Sequence, residues 1–116
     1  MLATLLACER LGAVFMPLNW RLAQPELLTQ LLHAGTAELL ADEDCASLAM
    51  ALRADWHIAG SAVHASAQAG DLLLVYTSGT TGQPKGAMHM ASQVAANARA
   101  SIAVQGVLNP LSWLNP

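Results

Sequence analysis

The chain has 116 residues, of which 54% are hydrophobic and only 11% are charged. This length allows at most one small domain. A small domain has a large surface for its volume, and the few charged residues cannot cover it. The composition is therefore closer to that of the interior of a larger protein. The formal net charge of −3 gives no electrostatic basis for binding nucleic acid or an anionic membrane.

Apolar spacing predicts three helices in the first half of the chain. Leucines near helical spacing in residues 2–11 indicate the first helix. Pro25 and Glu26 suit the first turn of a second helix, which ends near Gly35. The alanine-rich stretch 46–54 favours a third. The second helix has a leucine face made of Leu27, Leu28, Leu31 and Leu32.

Short apolar runs between the helices predict strands, at residues 13–16, 38–41, 56–58 and 72–76. A fourth helix is predicted from Met88 to Val104, with Asn109 and Pro110 ending the helical region. Helices that alternate with short strands indicate an α/β layer with parallel strands. A loop after the last strand would then lie at the carboxyl edge of the sheet, where such folds bind ligands.

The run Tyr76–Gly86 (YTSGTTGQPKG) follows that last predicted strand and is the most chemically informative segment. Its glycines let the backbone approach a ligand closely, its hydroxyls add hydrogen-bond donors, and Lys85 adds a point charge that suits phosphate. The run therefore predicts a loop that holds a polyphosphate.

The Walker pattern G-x-x-x-x-G-K-S/T does not fit this loop. Counted from Gly79, Pro84 precedes the lysine and supplies no N–H, and Gly86 follows it where the pattern has a hydroxyl. The commonest class of phosphate loop is therefore excluded.

The same eleven residues resemble the signature loop of the AMP-forming adenylate enzymes, which include acyl-CoA synthetases, luciferases and peptide-synthetase adenylation domains. That signature is Y/F-T-S-G-S/T-T-G-x-P-K-G, and every defined position matches. The resemblance implies that the loop grips the β- and γ-phosphates of ATP, with Lys85 stabilising the loop or the departing pyrophosphate. The phosphate-binding residues implied in this way are Thr77, Ser78, Gly79, Thr80, Thr81, Gly82 and Lys85.

A second block, Gly12–Leu22, resembles the family's G-A-V/I-x-x-P-L-N/D-x-R-L/Y segment and extends the similarity over most of residues 1–100. Phe15 and Asn19 are closer to the acyl-CoA synthetases than to the peptide-synthetase domains. The resemblance implies part of the large N-terminal domain of the acyl-CoA synthetase-like fold. It also implies a cytoplasmic ligase that uses ATP and Mg²⁺ to join a carboxylic acid, with a fatty acid as the first expectation, to CoA.

Departures from the family pattern limit what this chain is expected to do. Ala91 and Gln93 stand where the family has a T-H-x-N-like element, and His89, two positions early, inherits no role. A complete family member is expected to be roughly four times longer, well beyond one small domain. The chain is therefore interpreted as a fragment of the AMP-binding domain, spanning 1–116, with no catalytic residue assigned. An inactive nucleotide-binding fragment and a domain that loads a carrier protein remain alternatives.

The remaining reactive residues have no spacing that indicates a site. Cys8 and Cys45 are 37 positions apart without a metal-ligand pattern and predict reduced thiols. The other histidines (His33, His57 and His64) are expected to be structural or solvated, the three tryptophans are scattered, and the acidic run 42–44 predicts a solvated turn. No metal site is predicted from side chains alone. The apolar N-terminus breaks at Glu9, which makes it too short to span a bilayer.

Overall fold

The computed structural model describes residues 1–59, 68–77 and 85–105. Within these ranges the chain forms four helices and one two-stranded sheet. The helices are α1 (Leu2–Leu11), α2 (Gln24–Ala34), α3 (Ala46–Ala59) and α4 (Ala91–Gln105), and the strands are β1 (Asp71–Thr77) and β2 (Lys85–Met90). This mixed α/β arrangement confirms the predicted fold class. In these ranges no helix has the length and apolar character needed to cross a membrane.

Helices α1 and α2 both end at the glycines that the sequence indicates. Gly12 and Gly35 adopt left-handed conformations, with φ of 65° and 62°. In that conformation their N–H groups reach carbonyls of the last helical turn. At its start, α2 is capped by Glu26, whose carboxylate accepts the Ala23 N–H at 3.0 Å.

The hydrophobic core lies between α2 and α3. Leu27 and Leu31 of α2 are completely buried, as their spacing of four predicts, and they contact the α3 residues Ala49 and Leu52. Each fully buried leucine contributes on the order of 1.5–3 kcal/mol relative to an exposed one. At the edge of this core, Gln24 Nε2 donates to an Asp55 carboxylate oxygen at 2.7 Å and links the two helices.

The strand predicted at residues 56–58 is wrong, because these residues belong to α3. Trp56 follows Ala49 and Leu52 at helical spacing, and it packs against the same core. The burial of that face favours the helix over the strand preference of an isolated Trp-His-Ile segment.

The strand predicted at residues 38–41 is also wrong, since the structure has irregular backbone there. Side chains, rather than a neighbouring strand, bond to the backbone of Leu39. Its N–H donates to the Glu38 carboxylate at 3.2 Å, and its carbonyl accepts from the Arg53 guanidinium. Leu39 itself is buried in the α2–α3 core.

The strand predicted at residues 13–16 is reduced to one parallel bridge between Phe15 and Leu73 of β1. Phe15 donates to the Leu72 carbonyl at 2.7 Å and accepts from the Leu74 N–H at 2.9 Å. The next bond of such a ladder would need an N–H at position 17. Pro17 has none, so the pairing stops.

The β1–β2 pair is antiparallel, so among the described residues the expected parallel pairing is found only at the bridge between Phe15 and Leu73. Strands β1 and β2 are separated only by residues 78–84, whereas parallel neighbours need a crossover of about a dozen residues or more. Strand β2 was not predicted, and the last helix begins at Ala91 rather than at Met88. There the Met90 N–H donates to Gln93 Oε1 at 2.9 Å, a capping contact that fixes the start of α4. The predicted end at Asn109 and Pro110 lies outside the described residues.

Candidate functional site

Two of the seven predicted phosphate-binding residues form the stem of the loop. Thr77 is the last residue of β1, Lys85 is the first residue of β2, and the two are cross-strand partners. The Thr77 hydroxyl lies 3.4 Å from the Lys85 carbonyl oxygen, and both residues are exposed. The other five, Ser78, Gly79, Thr80, Thr81 and Gly82, lie outside the described residues.

The chemistry of this stem suits an anion. Lys85 is the single lysine of the sequence, and it is the first residue of β2, directly after residues 78–84. An ammonium is a compact charge with three donors, and a threonine hydroxyl adds a fourth. Both groups are exposed and can therefore reach a phosphate without first being uncovered.

Tyr76, the first residue of the predicted loop, reaches away from it and contacts α2. Its hydroxyl lies 2.6 Å from Nδ1 of His33, and the two rings meet edge to face at 75° with centroids 5.8 Å apart. The same hydroxyl lies 3.4 Å from the Gln30 carbonyl oxygen. His33 is therefore structural, as predicted, but its partner is 43 residues away. The sequence carries no signal for such a pairing.

Gly86 lies opposite Tyr76 in the sheet and makes room for its neighbours. A Cβ atom on Gly86 would come within 2.9 Å of Leu74 Cδ1 and 3.5 Å of Tyr76 Cζ. The sequence predicts that the glycines of this run let the backbone approach a ligand closely. In the structure the clearer role of Gly86 is to admit the leucine and tyrosine side chains that line the stem.

The two segments that carry the family resemblance meet on β1. Phe15, from the block Gly12–Leu22, pairs with Leu73 three residues before Tyr76. Further along the block, the Asn19 side chain accepts the Arg21 N–H at 3.2 Å and closes a turn. The first block therefore supports the strand that leads into the loop.

The titratable groups that the structure describes outside the stem form neither an activated thiol nor a metal centre. Partial burial raises the pKa of the Cys45 thiol, and the nearby Asp42 and Asp44 carboxylates raise it further, so the thiol stays protonated at neutral pH. Cys8 and Cys45 are both free. Among residues 1–59, 68–77 and 85–105, no three His, Cys, Asp or Glu side chains come together as metal ligands. The acidic run 42–44 is an exposed turn, as predicted, and His89 is exposed on β2.

Comparison with known proteins identifies relatives of nearly the whole chain. The family model described as AMP-binding enzyme matches residues 1–114. An indoleacetate–CoA ligase from Aromatoleum aromaticum is 40% identical over a 127-residue alignment that covers 88% of this chain and 25% of that protein. A feruloyl-CoA synthase from an Amycolatopsis species is 43% identical over 98 residues, covering 75% of this chain and 20% of that protein.

A long-chain fatty acid–CoA ligase from Mycobacterium tuberculosis is 36% identical over 101 residues, covering 69% of this chain and 20% of that protein. The chain thus spans between a fifth and a quarter of the length of these curated relatives. No solved structure matches it significantly.

Proposed function

Because the chain belongs to the family of AMP-binding enzymes, we propose that it is the phosphate-binding part of an ATP-dependent acid–CoA ligase. The observation that carries this proposal is the stem of the hairpin, where Thr77 and Lys85 are paired at the mouth of the Tyr76–Gly86 loop. An exposed hydroxyl and a cation at that point suit the phosphates of a nucleotide. The names of the three relatives, all CoA ligases or synthases, support the same reaction class.

In the proposed reaction, a carboxylate oxygen of the acid attacks the α-phosphorus of ATP. The bond from that phosphorus to the bridging oxygen breaks, and pyrophosphate leaves with the electron pair. The thiol of CoA then attacks the acyl carbonyl of the acyl-adenylate and displaces AMP. Lys85, together with residues 77–82, would hold the β- and γ-phosphates, so that charge accumulating on the leaving pyrophosphate meets a preorganised cation.

The donors at the stem fit a phosphate better than a bare divalent cation. A hydroxyl and an ammonium are described there, whereas Mg²⁺ prefers several oxygen ligands that include carboxylates or phosphates. Mg²⁺ would therefore be held mainly by the phosphates of the nucleotide, and when bound it neutralises part of their charge.

The acid substrate is proposed only as a class. The expectation from the sequence is a fatty acid, and one relative is named for a long-chain fatty acid, but the other two are named for aromatic acids. These acids share a carboxylate on an apolar body. We therefore propose an apolar aromatic or aliphatic acid and make the choice between them an outcome of the test.

The test is acid-dependent exchange of pyrophosphate into ATP, measured with the intact protein that carries this chain and a panel of aromatic and fatty acids. Exchange with at least one acid is expected. Replacing Lys85 with Ala should lower the exchange rate roughly ten- to a hundredfold, because a hydrogen bond to a charged group contributes about 1.5–3 kcal/mol. Arg99→Ala, which removes an exposed cation from α4, is the matched control and should leave the rate unchanged. Absence of exchange with every acid would reject the proposal.

Two other functions are distinguished by further assays. Acyl transfer to a phosphopantetheine carrier protein but not to CoA would identify a carrier-loading domain. The share of its relatives that the chain spans, 25% or less, favours a second possibility for the 116-residue chain by itself. It would bind nucleotide without turnover. Turnover by this chain, lost on Lys85→Ala, would contradict that possibility.

A further inference from the structure

The stem of the Tyr76–Gly86 loop is attached to the rest of the molecule at a specific point. Tyr76 is half-buried. It pairs with Gly86, and the next pair, Thr77 with Lys85, is the last one before the loop. The Tyr76 hydroxyl contacts two residues in the last turns of α2, His33 at 2.6 Å and Gln30 at 3.4 Å. One side chain therefore joins the stem to a helix of the hydrophobic core.

The distances indicate which of the two contacts receives the tyrosine proton. Bonds donated by a hydroxyl to an oxygen are ordinarily about 2.5–3.0 Å long, so the 3.4 Å separation from the Gln30 carbonyl makes a weak contact. The 2.6 Å separation from His33 Nδ1 is that of a strong bond. A bond donated by the Tyr76 hydroxyl to His33 Nδ1 requires the tautomer that carries its proton on Nε2.

The tyrosine ring also lies beside its cross-strand partner, Gly86. Gly86 lies so close that even a methyl group there would contact Cζ and Cε1 of Tyr76, at 3.5 and 3.6 Å. Leu27 and Leu31 of α2 are buried against α3 and hold the helix in place. The ring therefore lies between β2 and a helix that is itself fixed by the core.

We propose that His33 is a positioning residue, which acts through the Tyr76 hydroxyl to fix the stem of the phosphate loop, and with it Thr77 and Lys85, against α2. The consequence for nucleotide binding rests on the proposed function. The contact itself does not, so the two can be tested separately. A bond that holds the stem reduces the freedom that Thr77 and Lys85 must lose when they bind phosphates.

The contact is tested by titrating Tyr76, which is the single tyrosine of the chain, through the ultraviolet absorbance of tyrosinate. Burial raises the pKa of Tyr76 above its ordinary value, which is about 10. A hydrogen bond donated by the Tyr76 hydroxyl to His33 favours the protonated tyrosine and should raise this pKa further. His33→Leu should therefore lower the titration midpoint, and His33→Asn, which keeps an acceptor near the Nδ1 position, should restore most of it.

His57→Leu is the matched control, because His57 is likewise an exposed histidine in the last turn of a helix. It should leave the midpoint of Tyr76 unchanged. A midpoint in the wild-type chain equal to that measured in denaturant, or no change on His33→Leu, would overturn the proposal.

The positioning role is tested by the KM for ATP in the exchange assay with the intact protein. His33→Leu should raise this KM roughly two- to tenfold, the effect of one hydrogen bond, with a smaller change in kcat and with rescue by His33→Asn. If KM is unchanged while Lys85→Ala still impairs exchange, the positioning role is overturned and the proposed function stands. If neither substitution affects nucleotide binding while the tyrosine midpoint responds to His33→Leu, the proposed function fails and the positioning role fails with it.

Discussion

At the residue scale, Gly86 matters because its missing side chain leaves room for Leu74 and Tyr76. Gly86 has no unusual φ, so its value does not come from backbone freedom. A side chain at this position would meet the end of Leu74 at 2.9 Å, a distance that carbon atoms do not tolerate. Leu74 is buried and so has little room to move. The loop signature therefore includes a glycine that allows Leu74 and Tyr76 of β1 to pack against β2.

Gly86→Ala should lower the free energy of unfolding. Overpacking of this kind costs about 1–3 kcal/mol, which outweighs the roughly 0.4–1 kcal/mol that a Gly to Ala change contributes by restricting the unfolded chain. Urea denaturation followed by circular dichroism measures the difference. His89→Ala, at an exposed position of the same strand, is the control and should change the stability by no more than about 0.5 kcal/mol. A Gly86→Ala protein as stable as the wild type would contradict the packing role.

At the scale of secondary structure elements, the sequence is informative where local signals agree. Helix α2 could be predicted because Pro25, Glu26 and Gly35 mark its ends and because its leucines recur at helical spacing. Strand β2 could not, since Lys85–Met90 has little apolar alternation and is almost entirely exposed. Its pairing with β1 defines it as a strand. Residues 56–58 resemble a strand when taken alone, because three residues are too few to show a helical period. The period appears only when Trp56 is considered together with Leu52 and Ala49.

The same distinction holds for the candidate site. The sequence predicts the phosphate loop, and the structure pairs Thr77 with Lys85 across β1 and β2. The phosphate-binding role of these residues stays a prediction. The contact of Tyr76 with His33 could not be predicted, because it joins residues 43 positions apart and depends on where β1 lies against α2. Long-range contacts of this kind follow from the packed fold and have no local signature.

Helix α1 should be the least protected helix of the first half of the chain. It is apolar, yet none of its residues is buried, and Leu2, Leu6 and Leu11 are all exposed. A ten-residue helix with no buried residue is marginal in water. Amide hydrogen exchange should therefore be faster in residues 2–11 than in α2, whose Leu27, Gln30 and Leu31 are buried. Equal protection in the two helices would show that α1 is stabilised by contacts other than those described here.

For the molecule as a whole, low charge and exposed apolar side chains lead to the same interpretation. The core described between α2 and α3 is small, and large hydrophobic residues on α1, β2 and α4 remain exposed. The chain also spans a quarter or less of its relatives. These facts fit a unit whose apolar surfaces would be covered within a larger AMP-binding protein.

The most direct test of the central claim, that the Tyr76–Gly86 loop binds the phosphates of ATP through Lys85, uses the fact that Lys85 is the only lysine in the chain. The rate at which an amine-reactive reagent modifies Lys85 is measured by peptide mass mapping, with modification of the N-terminal amine as the internal reference. If the claim holds, ATP with Mg²⁺ and pyrophosphate will both slow the modification of Lys85, adenosine will not, and the N-terminal amine will react at the same rate throughout. Equal modification of Lys85 with and without ATP would contradict it.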